Sequence, residues 1–385
     1  MEIYLDNCST TKPREEVVEE IIYSLREEYG NPSSLHRLGF NVEKKVEKIR
    51  ENIGRFLKVT KDEIYFTSGG TESNNIAIQS IINKYNRKGK HIITTTIEHS
   101  SVLNIMKYYE QKGFHITYLG VDNNGIISLD ELRESIRDDT ILVSVMQVNN
   151  EIGSIQPTWE IKKILNERKS KALVHVDGIQ AFGKIPLDLG SWDIDTFSFS
   201  GHKVYGPKGI GGLYVNKELS LDPIIFGGNQ EKGLRSGTEN VPGIMGLGKA
   251  VEIIDKNFDK EREKVRDIKF YFIKKLEEEI DYIHINSPLD EEHSPYVLNV
   301  SFEYVRGEVL LHYLEDKGIY VSTGSACSSR GTEKSHVLSQ LELSNREIEG
   351  AIRFCFSYEN TKEEIDYTIK ILKNSVEEIR QITMR

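Results

Sequence analysis

Five times along this chain a short apolar, β-rich run ends and a polar cluster able to do chemistry follows at once. Tyr65-Phe66 leads into Ser68-Gly69-Gly70-Thr71-Glu72-Ser73-Asn74, and Thr95-Thr96 leads into Glu98-His99-Ser100-Ser101. The run 141–148 leads into Asn149-Asn150-Glu151, and Val174-His175-Val176 into Asp177-Gly178-Ile179-Gln180. Phe197-Ser198-Phe199 leads into Ser200-Gly201-His202-Lys203. Each cluster alone has an ordinary structural reading: a helix cap, a turn, a solvated charge, a satisfied core histidine. The paired glycines would let backbone N–H groups approach an anion at a helix N-terminus, although no Walker lysine follows them. Ligands of open parallel sheets bind beyond the carboxyl ends of the strands. Together, then, the clusters bring a His, an Asn, an Asp, a Gln, a Ser and a Lys to one sheet edge. That set matches a site for pyridoxal 5'-phosphate (PLP): a lysine for the Schiff base, an aspartate for the pyridinium nitrogen, and a histidine to lie over the ring. Ser, Thr and backbone groups take the phosphate.

The elements that must position these residues are legible in outline. Seven β-rich runs, at 63–67, 91–96, 115–119, 141–148, 173–176, 196–200 and 212–215, alternate with helical stretches. Alternation of this kind predicts a mostly parallel sheet covered by helices. Val42, Val46, Ile49, Ile53, Phe56 and Leu57 recur at helical spacing and predict an amphipathic helix over about 37–58. The rhythm changes near 254. A charged helix over 256–279 leads to strands at 298–302, 319–322 and 352–357, and a helix over 362–382 closes the chain. The expected organisation is therefore a large domain over 12–254. A smaller α+β domain is built from 1–11 and 255–385.

Composition narrows the function classes. With 385 residues the chain exceeds one ordinary core. A net charge of −10 gives no support for a duplex-binding surface, which needs clustered Lys and Arg. No run approaches the roughly 18 apolar residues of a membrane span, and the opening MEIYLDNCSTTKP lacks a basic start with an apolar stretch. The expectation is a cytoplasmic protein with no direct nucleic-acid or membrane partner. Cys8, Cys327 and Cys355 are too few and scattered for a disulfide framework, and no pair has zinc-like spacing. Each is read first as a small buried hydrophobe.

The order and spacing of YLDNCSTTKP, GNPSSLHRLG, FTSGGTESNN, IEHSS, VNNEIG, HVDGIQAFGK, SFSGHKVYGPKGIG, RSGTEN, STGSACSS and IRFCFS resemble the NifS/IscS-type cysteine desulfurases. These belong to the class V aminotransferase family, and the resemblance runs almost end to end. It implies PLP fold type I, with a seven-stranded sheet in the large domain, and conversion of L-cysteine to L-alanine. Lys203 would be the Schiff-base lysine, with Ser200 and His202 near the phosphate. Asp177 would pair with the pyridine nitrogen, Gln180 with the phenolic oxygen, and His99 would stack on the ring and assist proton transfer. Gly70 and Thr71 would cradle the phosphate, Asn150 would lie at ring and substrate, and Arg353 would grip the substrate carboxylate. Thr238 would reach the phosphate site of a neighbouring subunit, which makes the protein a homodimer.

Cys327, in a Ser- and Gly-rich stretch, would accept the sulfur as a persulfide, with His99 as the expected acceptor of the thiol proton. The sulfur would pass to a protein acceptor, an iron–sulfur scaffold or a tRNA-thiolation enzyme. Cys355 is expected in the core. Cys8 stands where the family commonly has alanine and is read as structural, with redox or metal chemistry as its other reading. A selenocysteine lyase, another class V transferase and a non-catalytic scaffold remain the alternatives.

Overall fold

The computed structural model describes residues 2–287, 293–323 and 334–384. The chain begins with a two-residue strand β1 (Ile3–Tyr4) and helices α1 (Glu15–Glu27) and α2 (Arg37–Phe56). A strand–helix alternation follows: β2 (Ile64–Thr67), α3 (Gly70–Tyr85), β3 (His91–Thr95), α4 (Ser100–Gln111), β4 (His115–Leu119) and α5 (Leu129–Ser135). It continues through β5 (Thr140–Met146), α6 (Thr158–Glu167), β6 (Leu173–Asp177), α7 (Leu189–Trp192), β7 (Thr196–Ser200) and β8 (Gly211–Val215). The remainder is α8 (Val241–Glu279), β9 (Ile283–Ile285), β10 (Val297–Phe302), α9 (Gly307–Asp316), β11 (Ile319–Tyr320), α10 (Asn345–Glu349), β12 (Ala351–Cys355) and α11 (Lys362–Thr383).

The seven expected strands form one sheet in the order β2-β8-β7-β6-β5-β3-β4. Only β8 runs against the rest, pairing antiparallel with both β2 and β7. Strands β5, β6 and β7 are buried at every residue save Leu173; their Val and Phe side chains join α2, α6 and the first half of α8 in one core, while Ile141 and Leu142 pack with α3 and α4 in another. Burial on both faces is why β5 reads as a nearly continuous apolar run, whereas β7 alternates Phe with Thr and Ser although both of its faces are buried. The carboxyl ends of β2, β3, β5, β6 and β7 therefore open on the same edge.

A second core gathers Ile3, Leu5 and Cys8 of the N-terminal segment with the second half of α8, β10, β12, α9 and α11. Strand β10 pairs antiparallel with β12 and β9, while β1 pairs parallel with β11. The short β1 and β9 are strands that the sequence pattern did not suggest.

The sequence also places the start of the charged helix at 256, whereas α8 runs unbroken for 39 residues, about 58 Å at 1.5 Å per residue. Gly243, Gly246 and Gly248 lower helix propensity in its first turns and disguise it. Contact requires two of them. A Cβ on Gly246 would lie 2.8 Å from Ile21, and one on Gly248 2.7 Å from Ile49, so these glycines let α8 press against α1 and α2. Asn240 caps the start, its side-chain oxygen accepting from the Gly243 N–H.

Candidate active site

Asp177 ends β6, buried to 4% exposure. Its Oδ1 accepts from the Ile179 N–H at 3.1 Å and its Oδ2 from Asn74 Nδ2 at 2.8 Å. Burial raises its pKa, while the charges of His99 and Lys203 and the two hydrogen bonds pull against that rise. Lys203 follows β7 in a single 3-10 turn, Gly201–Lys203. Its Nζ donates to the carbonyls of Cys8 at 2.6 Å and Ser9 at 2.8 Å. The N-terminal turn thus holds the amine over the sheet edge. Gln180 Nε2 donates to the same Cys8 carbonyl, and its Oε1 accepts from Lys184.

His99 caps α4, with its Nδ1 accepting from the Ser101 N–H at 3.1 Å. Burial lowers its pKa, Asp177 opposes this, and Lys203 and His336 reinforce it. His202 bonds Thr10 Oγ1, and burial beside Lys203 pushes its pKa down to about 4. A buried carboxylate, an amine and an imidazole that sense one another's charge are therefore assembled from three strand ends.

Arg353 sits in the middle of β12 with 4% exposure. Its Nη2 donates to Asp6 Oδ1 at 2.9 Å and Ser9 Oγ at 2.8 Å, and its Nη1 to the Asn150 carbonyl at 2.9 Å. Burial alone would depress its pKa, but Cys355, Cys8 and Asp6 around it raise it instead. Its Nε is buried without a partner. A guanidinium held in a fixed plane with a donor to spare suits a carboxylate ligand.

The residues present fit PLP. Gly69 precedes α3 at φ +153°, and a Cβ on Gly70 would stand 2.2 Å from Ile179 Cδ1, so any larger residue there must displace the Ile179 side chain. Ser200 Oγ is buried without a partner, and a Cβ on Gly69 would come 3.9 Å from it. An orphaned hydroxyl beside a helix N-terminus is a donor set for a phosphate. Thr71 is the second residue of α3 and lies exposed. Glu72 on the same turn accepts from Arg235 Nε at 3.1 Å and tethers the loop that carries Thr238. Thr238 itself is exposed. That loop is further pinned by a buried bidentate pair, Arg50 with Glu231, both bonds at 2.8 Å.

Lys203, Asp177, His99, Gln180, Ser200 and Gly70 are thus brought to one edge, and Arg353 and Asn150 meet beside the same N-terminal turn. Cys327 lies outside the described residues. Cys355 is fully buried, as its apolar strand suggested, and Cys8 is 2% exposed. The two thiols interact. Burial works against ionisation of Cys8, but its hydrogen bond with Cys355 and the charges of Lys184, Arg353 and Lys203 outweigh this and lower its pKa below the ordinary thiol value.

Sequence reasoning gave no role to Asn74, Ser101, Asp6 or Ser9. Asn74 left a trace: it stands among Gly70, Ala77, Ile78 and Ile81 on the buried face of α3, a polar residue at a core position.

Comparison with known proteins agrees with this geometry. The aminotransferase class-V family profile matches residues 3–368. The chain is similar to a cysteine desulfurase IscS of Dictyoglomus turgidum, at 44% identity over 99% of this chain and 96% of that one. Similarity to a cysteine desulfurase IscS of Methanosarcina thermophila is 43%, covering 99% and 93%. A solved structure described as a NifS-like protein superposes with a TM-score of 0.92 at 40% identity, over 98% of this chain and 100% of that one. The chain belongs to the class V aminotransferase family, among its IscS- and NifS-like cysteine desulfurases.

Proposed function

We propose that this protein is a PLP-dependent cysteine desulfurase that converts L-cysteine to L-alanine and hands the sulfur onward. The observation that supports it best is the meeting of Lys203, Asp177 and His99 at the carboxyl edge of the sheet, in a chain that matches cysteine desulfurases end to end. Bound PLP supplies an electron sink that makes the α-proton of an amino acid acidic and its Cβ–S bond labile. Lys203 anchors the cofactor and then moves the α-proton. Asp177, fixed by Asn74 and Ile179, keeps a positive charge on the ring nitrogen. Gly70, Thr71, Ser200 and His202 hold the phosphate of their own subunit, Gln180 the phenolic oxygen, and Asn150 the ring and substrate. Arg353 holds the substrate carboxylate.

The Cys327 thiolate attacks the substrate sulfur. An S–S bond forms, the C–S pair stays with the substrate carbon, and a proton taken up there completes alanine. The persulfide then passes to a thiol of a protein acceptor, for iron–sulfur assembly or tRNA thiolation. No described helix is long and apolar enough to cross a membrane, and we place the reaction in the cytoplasm. The working unit in this reading is a homodimer whose subunits each divide at about 254, with residues 1–11 joining the smaller domain.

The PLP-loaded protein given L-cysteine and dithiothreitol should release alanine and sulfide in equal amounts. Formation of a keto acid in place of alanine would identify amino transfer instead.

A further inference from the structure

Behind the reacting groups, four buried side chains form an unbroken line. Thr196 Oγ1 lies 2.9 Å from His175 Nδ1, and His175 Nε2 3.1 Å from Asn74 Oδ1. Asn74 Nδ2 reaches both Asp177 Oδ2 at 2.8 Å and Ser101 Oγ at 2.9 Å. Ser101 Oγ in turn lies 2.9 Å from His99 Nδ1. Asn74, His175 and Thr196 are wholly excluded from solvent.

The direction of every bond follows from its neighbours. An ionised Asp177 only accepts, so Asn74 must turn its amide nitrogen toward it, and its oxygen toward His175. His175 must then donate from Nε2 and accept at Nδ1 from the Thr196 hydroxyl. That requires a neutral ring, and burial does push its pKa down to about 3. Ser101 Oγ accepts from Asn74, which leaves its own hydrogen to point at His99 Nδ1. The same Nδ1 accepts from the Ser101 backbone N–H at 3.1 Å, a group that cannot reverse its role.

We infer that Asn74 and Ser101 are positioning residues that lock His99 in the neutral Nε2–H tautomer and tie its orientation to that of Asp177. The inference rests on the desulfurase reading for its catalytic meaning but not for its geometry. With both Nδ1 donors in place, His99 offers the substrate a proton at Nε2 and cannot accept one there. It therefore suits a fixed hydrogen-bond donor that orients and polarises the reacting groups, because a neutral ring that gave up its Nε2 proton would be left an imidazolate, and it replaces the expectation that His99 takes the proton of the thiol. The charged and titratable groups facing His99 are Asp177 on β6, Lys203 after β7 and His336 beyond β11. The last bonds the Glu98 carbonyl through its Nε2 at 3.0 Å.

The test is nitrogen-15 NMR of histidine-labelled protein without cofactor or substrate, in which loss of desulfurase activity plays no part. Wild type at pH 8 should show His99 with an unprotonated Nδ1 and a protonated Nε2. A protonated Nδ1 would overturn the inference. Ser101→Ala removes one of the two donors to the Nδ1 lone pair, so the neutral ring is less favoured and its titration midpoint should rise by about half to one pH unit. Ser101→Thr should restore it. An unchanged midpoint in Ser101→Ala would also overturn the inference.

In the PLP-loaded enzyme, Asn74→Leu should cut kcat about tenfold or more while leaving KM for cysteine within about twofold, because Arg353 is untouched. A variant with wild-type kcat would contradict the role. Should Asn74→Leu not fold, the Ser101 pair still decides the question.

Discussion

Arg353, buried, and Lys203, half-buried, are cations on different elements, yet both are met by the same N-terminal turn: Asp6 and Ser9 for the first, the Cys8 and Ser9 carbonyls for the second. Lys203 and Asp177 were legible in the sequence because their chemistry is rare and each stands at or just beyond the carboxyl end of a strand. The turn was not legible, because Asp6 meets Arg353 across 347 positions of chain and nothing local records such a contact. Lys203→Ala should abolish turnover and any borohydride-reducible link to PLP. Retention of that link would remove Lys203 from the site. Arg353→Lys exchanges a planar fork for a point charge, and KM for cysteine should rise by about two orders of magnitude, with kcat changed less. An unaltered KM in steady-state kinetics would argue that the substrate carboxylate binds elsewhere. His175 makes a prediction about pH. Its folded pKa of about 3 lies below the ordinary 6.5, so between these values the unfolded chain binds the extra proton. Its contribution to stability is intact above pH 6.5 and is lost as the pH falls, with a slope approaching about 1.4 kcal/mol per pH unit. Denaturant titrations of wild type and His175→Asn across that window should show the slope in the first and a flatter profile in the second. Equal slopes would contradict it.

At the scale of elements, the alternation of β-rich runs and helices was readable because short runs rich in Val, Ile and Phe recur along the chain and polar clusters mark their ends. What could not be read was the first half of α8, whose glycines look like loop until the partners that need them, Ile21 and Ile49, are in view. The start of α3 shows the same logic at the site. Gly70→Ala would drive a methyl into Ile179, whose backbone N–H fixes Asp177. PLP affinity, measured by equilibrium dialysis, should fall about tenfold, and Gly70→Ala with Ile179→Ala should regain most of it. If the single variant binds PLP as wild type does, close approach at Gly70 is not what shapes the phosphate site.

At the scale of the whole molecule, six of the exposed large apolar side chains among the described residues fall in one stretch of sequence, Ile22, Tyr23, Leu25, Tyr29, Leu35 and Phe40, while the others are scattered singly or in pairs. Such a cluster suits a covered surface, and with exposed Thr238 it supports the homodimer proposed above. Thr238→Ala subunits co-expressed with Lys203→Ala subunits give mixed dimers. If Thr238 serves its partner, one site of each carries both lesions and the other neither. Activity should then exceed that of either mutant homodimer, and a verified mixed dimer without recovery would assign Thr238 to its own subunit.

The central claim, that this fold moves sulfur from cysteine onto its own chain, has a direct test in one turnover with sulfur-labelled L-cysteine and no reductant, followed by peptide mass spectrometry. The account predicts one labelled sulfur on the Cys327 peptide, one alanine released per site, and no label in Cys327→Ser. Label on the buried Cys8 or Cys355, or alanine formed with no sulfur retained on the chain, would contradict it.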